Sequence, residues 1–345
     1  MKLLICFLLV MVLSPQVSAL EIEAPQVPPS GVEHMPENTS SFGDGLLDLV
    51  RSVTKTMRPD LAEASRVCLA IVSVHIIVSI IRVLSSSIKG TANLAGCSAI
   101  AAILISNANS MIRLASQTIQ ELSEYGKLLY PVMTTALAAQ GGITASAALY
   151  TSTAFFNALL GSLLAKFLIP MIYGYLVISI ANRALGEDML SKIGDGIKNG
   201  MSWCLKTLLT IFTTYMSITG VVSGTTDAAA LKATKVTIST VVPIVGGILS
   251  ETSEAVLVSA GFMKNAAGIY GILAILAIFM EPFIRIGIHY LLLKITAAAC
   301  NMLGIKEVTG VVEDFSAAMG LLLAMTGAVC LLLLFSTVCF MKGVG

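Results

Sequence analysis

Glu281, Arg285 and His289 stand four residues apart in a largely apolar stretch. On a helix that spacing puts all three on one face, and Glu281 ahead of Arg285 is the favourable order for an i,i+4 ion pair. Ionisable side chains at membrane depth are costly, and where they persist they mark ion or proton paths or pair with one another. A plainer reading competes. Glu281-Pro282 has the form of a turn between two spans, which would hold Glu281 and Arg285 at the interface as anchors. His75 and Arg82, seven apart, form a second pair able to face a partner, with core packing as its ordinary explanation.

Few other constellations carry chemistry. No GxxxxGK[ST] run is present, so direct nucleotide binding through a P-loop is not expected. GxSxG, HExxH and paired carboxylates are missing too, and three histidines make a thin basis for catalysis. Seven cysteines occur without CxxC or Cys/His spacing, so no metal is expected. Cys6 falls in the N-terminal apolar run, and the other six lie in or beside apolar stretches, where Cys behaves as a small hydrophobe. Lys plus Arg (21) nearly balances Asp plus Glu (20), which removes the basic footprint of a nucleic-acid binder. The sequence thus predicts a protein that is not an enzyme and needs no cofactor.

The elements that must position the trio are membrane helices. Apolar residues make up 56% of the chain and charged ones 12%, against about 25% charged in soluble domains. Such a composition suits a lipid solvent, and the fold class expected is an all-α polytopic bundle. Residues 1–19 read as a secretory signal: Lys2, an apolar core from Leu3 to Leu13, and Val17-Ser18-Ala19 before a cleavage site, with an uncleaved anchor as the alternative. Residues 20–66 would then lie outside the cytoplasm. Their first half is rich in Pro, Glu and Ser and is expected to be disordered; Leu46 to Met57 has the spacing of a surface helix. Residues 67–124 hold the first spans, followed by Leu128–Ala165, Phe167–Asn182, Thr207–Val222, Val236–Leu249, Ala266–Met280, Phe283–Leu303 and Ala317–Met341. About seven crossings follow, within about two. Ala317–Met341 has 25 residues and no charge, which makes it the cleanest span. Arg82 and Lys89 place the loop after the first span in the cytoplasm.

Several spans carry breaks, at Pro131, Gly141, Gly142, Pro170, Pro243, Gly246, Gly247 and Pro282. Broken or re-entrant helices persist at membrane depth only where protein or a watery cavity covers their backbone. Gly220 and Gly224 form a small-xxx-small pair suited to close helix packing. Leu185–Gly200 and Ile305–Phe315 read as two amphipathic helices, lying along the interface or packed on the protein's own spans. They also suggest an internal duplication. Pro131 and Pro170 share the spacing of Pro243 and Pro282, and a short insertion then pairs Leu185-Gly186 with Leu303-Gly304 and Met201 with Met319. The copies would be residues 125–223 and 237–345, and paired broken helices of that kind occur in transporters.

The run from Met216 to Ser250 (MSITGVVSGTTDAAALKATKVTISTVVPIVGGILS), with Glu254–Ala260 (EAVLVSA) and Gly287–Lys294 (GIHYLLLK), resembles the stage III sporulation protein AE family of endospore-forming bacteria. The resemblance implies a place in the mother-cell-derived membrane around the engulfed forespore. It also implies partners: the other stage III sporulation A-operon proteins and stage II sporulation protein Q, in a channel-like complex that sustains the forespore. It supplies no catalytic residues.

Overall fold

A computed structural model describes residues 25–36, 42–84, 88–139, 143–186, 188–218 and 266–342. Every regular element in them is helical. In chain order these are the short α1 (Pro29–Val32), α2 (Phe42–Thr56), α3 (Arg58–Leu84), α4 (Lys89–Ala139), α5 (Ile143–Leu163), α6 (Ile169–Leu185), α7 (Asp188–Ile218), α8 (Ala266–Asn301) and α9 (Lys306–Lys342). Among the described residues, five helical runs are long and apolar enough to cross a membrane. The all-α bundle expected from composition is the fold observed.

The runs are more continuous than the sequence suggested. Pro131 lies within α4 and Pro282 within α8, and neither ends its helix. A proline removes one hydrogen bond and crowds the preceding turn. At Pro131 the affected turn lies on the exposed side of the bundle. At Pro282 it frees the carbonyl of Ile278, the turn against which α1 packs through Gly31. Glu281-Pro282 is therefore not a turn between spans. A π-helical turn, Leu164–Leu168, joins α5 to α6 directly ahead of Pro170, whose fixed φ suits the first turn of α6. The two amphipathic stretches are not separate elements either; they are the opening turns of α7 and α9. Val308, Val311, Val312 and Phe315 are buried, so the second stretch packs on the protein itself, whereas Leu185, Met189 and Ile193 of the first are exposed. Gly141, Gly142, Gly220, Gly224, Pro243, Gly246 and Gly247 lie outside the described residues.

Contacts fix the directions. Asn157 of α5 bonds the Ser123 carbonyl and Tyr173 of α6 bonds Asn109, so the α5–α6 run lies antiparallel to α4. Gly96 of α4 sits against Val308 and Gly126 against Leu333, so α4 and α9 are parallel. Helix α9 packs against α4, α5, α6, α7 and α8. In its most apolar window 94% of residues are buried, against 17% in α3. The cleanest span in the sequence is thus the protein's central core helix, and α3 is its most outward-facing one.

The outward surface formed by α3 and α4 changes along the bundle. Leu69, Ile76, Ile77, Ile80 and Ile81 of α3, with Leu291 and Ile295 of α8 and Val177 of α6, form an exposed apolar belt. Val67 to Leu84 spans about 27 Å as a helix, close to the hydrocarbon thickness of a bilayer. Further along α4 the outward stripe is Arg113, Gln117, Gln120, Glu124 and Lys127. Helix α4 has 51 residues, about 76 Å, more than twice the hydrocarbon core. One helix therefore serves two environments.

A testable consequence concerns the glycine seats. A Cβ at Gly126 would lie 2.5 Å from Leu333 Cδ2, whereas one at Gly174 would meet nothing within 4 Å. Gly126→Leu should lower stability by about 1–3 kcal/mol, while Gly174→Leu should leave it unchanged. Thermal unfolding of the detergent-solubilised protein, with both variants side by side, is the check.

Candidate functional site

Helix α8 carries Glu281, Arg285 and His289 on one side, as the spacing predicts. The expected Glu281–Arg285 ion pair is not among those of the described residues. Each side chain instead reaches a different element. The His34 ring stands between α2 and α8, with Nε2 2.9 Å from Glu281 Oε2 and Nδ1 2.9 Å from Ser52 Oγ. In the neutral ring Nε2–H donates to the carboxylate and Nδ1 accepts from the hydroxyl. Arg285 Nη2 lies 3.3 Å from Asp60 Oδ1 at the start of α3. Asn107 of α4 donates to His289 Nδ1 across 3.0 Å. The result is a ladder of three clamps, tying α8 in succession to the N-terminal segment, α3 and α4.

Local structure explains who meets whom. Pro28 and Pro29 start α1 with a proline in its first turn. Gly31 then lets this short element lie against Ile278, with no room for a Cβ. Ser30 donates to Glu121 of α4, and His34 is almost fully buried. Residues 25–36 are therefore a packed strap across α8 and α4, which corrects the expectation of disorder there. Composition argued for disorder, yet four prolines also restrict the unfolded chain and so lower the entropy cost of ordering it. As expected, α2 is amphipathic, with Leu49 and Val53 buried.

Sequence reasoning missed His34, Ser52, Asp60 and Asn107. No periodicity links residues separated by 182 or 247 positions. A second polar cluster joins α6 to α9: Arg183 Nε lies 2.9 Å from Asp314 Oδ2, and Tyr175 donates to the same carboxylate. Gly310 makes room for that guanidinium. His75 is fully buried, and Arg82 Nη1 lies 3.7 Å from Glu307 Oε2. No set of nucleophile, base and oxyanion donors emerges from these groups; they fasten helices.

Fold and ladder define a multi-pass helical membrane protein in which a small set of charged residues clamps one helix to another. The model of the stage III sporulation protein AE family matches residues 38–345, and the chain belongs to that family. Among curated proteins it is similar to Stage III sporulation protein AE of Bacillus subtilis (strain 168), with 24% identity over 193 residues. That match covers 56% of this chain and 48% of the relative, so the chain spans about half the length of the curated relative it matches. No solved structure matches.

If the ladder acts as a strap, its parts are coupled. Glu281→Gln and His34→Ala should each raise proteolytic cleavage between Val27 and Met35 about fivefold, as the loss of about 1 kcal/mol of local stability requires. The double variant should be no worse than either single one. Multiplying effects would show that the two residues do not act together.

Proposed function

We propose that this chain is an integral membrane subunit of the channel-like complex joining mother cell and forespore during sporulation. In that reading it sits in the mother-cell membrane surrounding the forespore, with its N-terminal strap on the extracytoplasmic side. Its partners are the other stage III sporulation A-operon proteins and stage II sporulation protein Q. The observation that carries the reading is family membership over residues 38–345 in a chain built as a bundle of apolar helices. The sequence has no P-loop motif, which fits a subunit whose energy is supplied by another protein. The role proposed is structural and permeation-related, not enzymatic.

One observation favours a second reading, a self-sufficient secondary transporter with duplicated halves. Among the described residues the positive-φ glycines are Gly186 and Gly304, the pair that the proposed duplication aligns. Each closes one long helix before the next begins, and the α5–α6 run and α8 both lie antiparallel to α4. The repeats would then share one orientation and not be inverted.

Affinity purification of the full chain from sporulating cells separates the two. The channel reading expects recovery with other stage III sporulation A-operon proteins, and loss of forespore development when the chain is absent. A monomer or homodimer that moves solute across liposomes without partners would overturn it in favour of the transporter.

A further inference from the structure

Near one end of the bundle, unpartnered polar atoms gather where α3, α4 and α9 meet. His75, Ser79 and Arg82 follow one another on a single side of α3. Both ring nitrogens of His75 and Ser79 Oγ are buried without a hydrogen-bond partner among the described residues, and Arg82 Nη1, ion-paired with Glu307 Oε2 at 3.7 Å, has none within hydrogen-bond distance. Asn93 Oδ1 of α4 and Thr309 Oγ1 of α9 share that condition. Packing brings them to one height of the bundle. Gly96, one turn beyond Asn93, has Val78 and Val308 packed over it, and Thr309 follows Val308. His75 is 0% exposed and Thr309 2%. Toward the α3–α4 and α8–α9 turns exposure rises, to 25% for the Arg82 side chain and 48% for Glu307. The cluster thus has a mouth, at the Arg82–Glu307 pair, and a floor, at His75.

Leaving this many buried polar groups without partners carries a desolvation cost that a packed bundle does not sustain. Their chemistry says what completes them. Asn93 Oδ1 only accepts, Arg82 Nη1 only donates, and the Ser79 and Thr309 hydroxyls do either. An anion leaves the Asn93 oxygen unsatisfied, and a cation meets the Arg82 guanidinium. The charges of Arg82 and Glu307 offset each other, and Arg183 behind Cys97 is held by Asp314. A small neutral molecule that both donates and accepts fits every group, and water is that molecule. We propose that His75, Ser79, Arg82, Asn93 and Thr309 line a water-filled inlet, open at the Arg82–Glu307 pair, that brings water and with it protons to His75. The inlet runs alongside an apolar helix face and stands apart from the α8 ladder. It does not depend on the chain's partners.

The test uses the full chain in lipid nanodiscs. Deuterium exchange at the ring C2 position, read by mass spectrometry, reports water access to each of the three histidines. His75 should exchange despite its complete burial. Ser79→Leu, which fills the inlet, should slow it at least tenfold and leave His289 unchanged. A His75 ring that does not exchange, or that exchanges equally in Ser79→Leu, overturns the proposal. A second measurement avoids the filling variant. Thr309→Cys and Ile71→Cys place thiols at equally buried sites, one in the inlet and one in the apolar core. A charged methanethiosulfonate reagent should modify the Thr309→Cys thiol at least ten times faster; equal rates would show a dry core at both.

Discussion

The structure depends on the burial of α9. Five other helices pack on it, and its most apolar window is almost wholly enclosed. In lipid such burial gains little from removing apolar surface from water, since acyl chains are as apolar as leucine. What holds the bundle is close packing, and close packing needs shape. Leu333 enters the space over Gly126, Val308 that over Gly96, and Met341 that over Gly268, while Tyr290 of α8 lies over Gly320 of α9 in return. Large side chains set into glycine seats bring helices near enough for dispersion forces to act along their full length. The exposed belt on α3 follows from this arrangement, because the centre is already occupied.

Polar clamps then set which helix stands where. Dispersion is indifferent to small sliding or rotation, whereas a hydrogen bond or ion pair in a low-dielectric setting is not. The rungs on α8 fix three neighbours at three heights, and Arg183–Asp314 fixes α6 against α9. These pairs do not have to contribute much net stability to matter; a buried pair is weak evidence for that. Their effect is to make other registers worse, since each would strand a charge.

Much of this was legible in the sequence, for reasons that can be stated. Composition and uncharged runs revealed the all-α bundle, because lipid and helix periodicity leave direct marks. The ladder face was legible from a spacing of four. Partners were not: His34 sits in a proline-rich stretch that composition classes as disordered, and contacts across such separations have no local signature. Hydropathy also left the place of α9 open. A residue facing lipid and one facing other helices are equally apolar, so the cleanest run shows a span but not that it is the core. Prolines misled in the same way, since Pro131 and Pro282 read as breaks until neighbouring packing is known. The run that carried the family resemblance, Met216 to Ser250, lies almost entirely outside the described residues.

The position of α9 has a consequence for how the molecule is made. Every helix that surrounds it is synthesised earlier. As α4 and α8 enter the bilayer, the glycine seats that α9 fills have no occupant, and both helices must lie in lipid with their inner faces only loosely matched. Assembly therefore cannot close as the chain emerges, one hairpin after another. It needs α9, whose Ala317–Met341 stretch carries no charge, to enter among helices already in the bilayer, and the fold is completed from the outside inward.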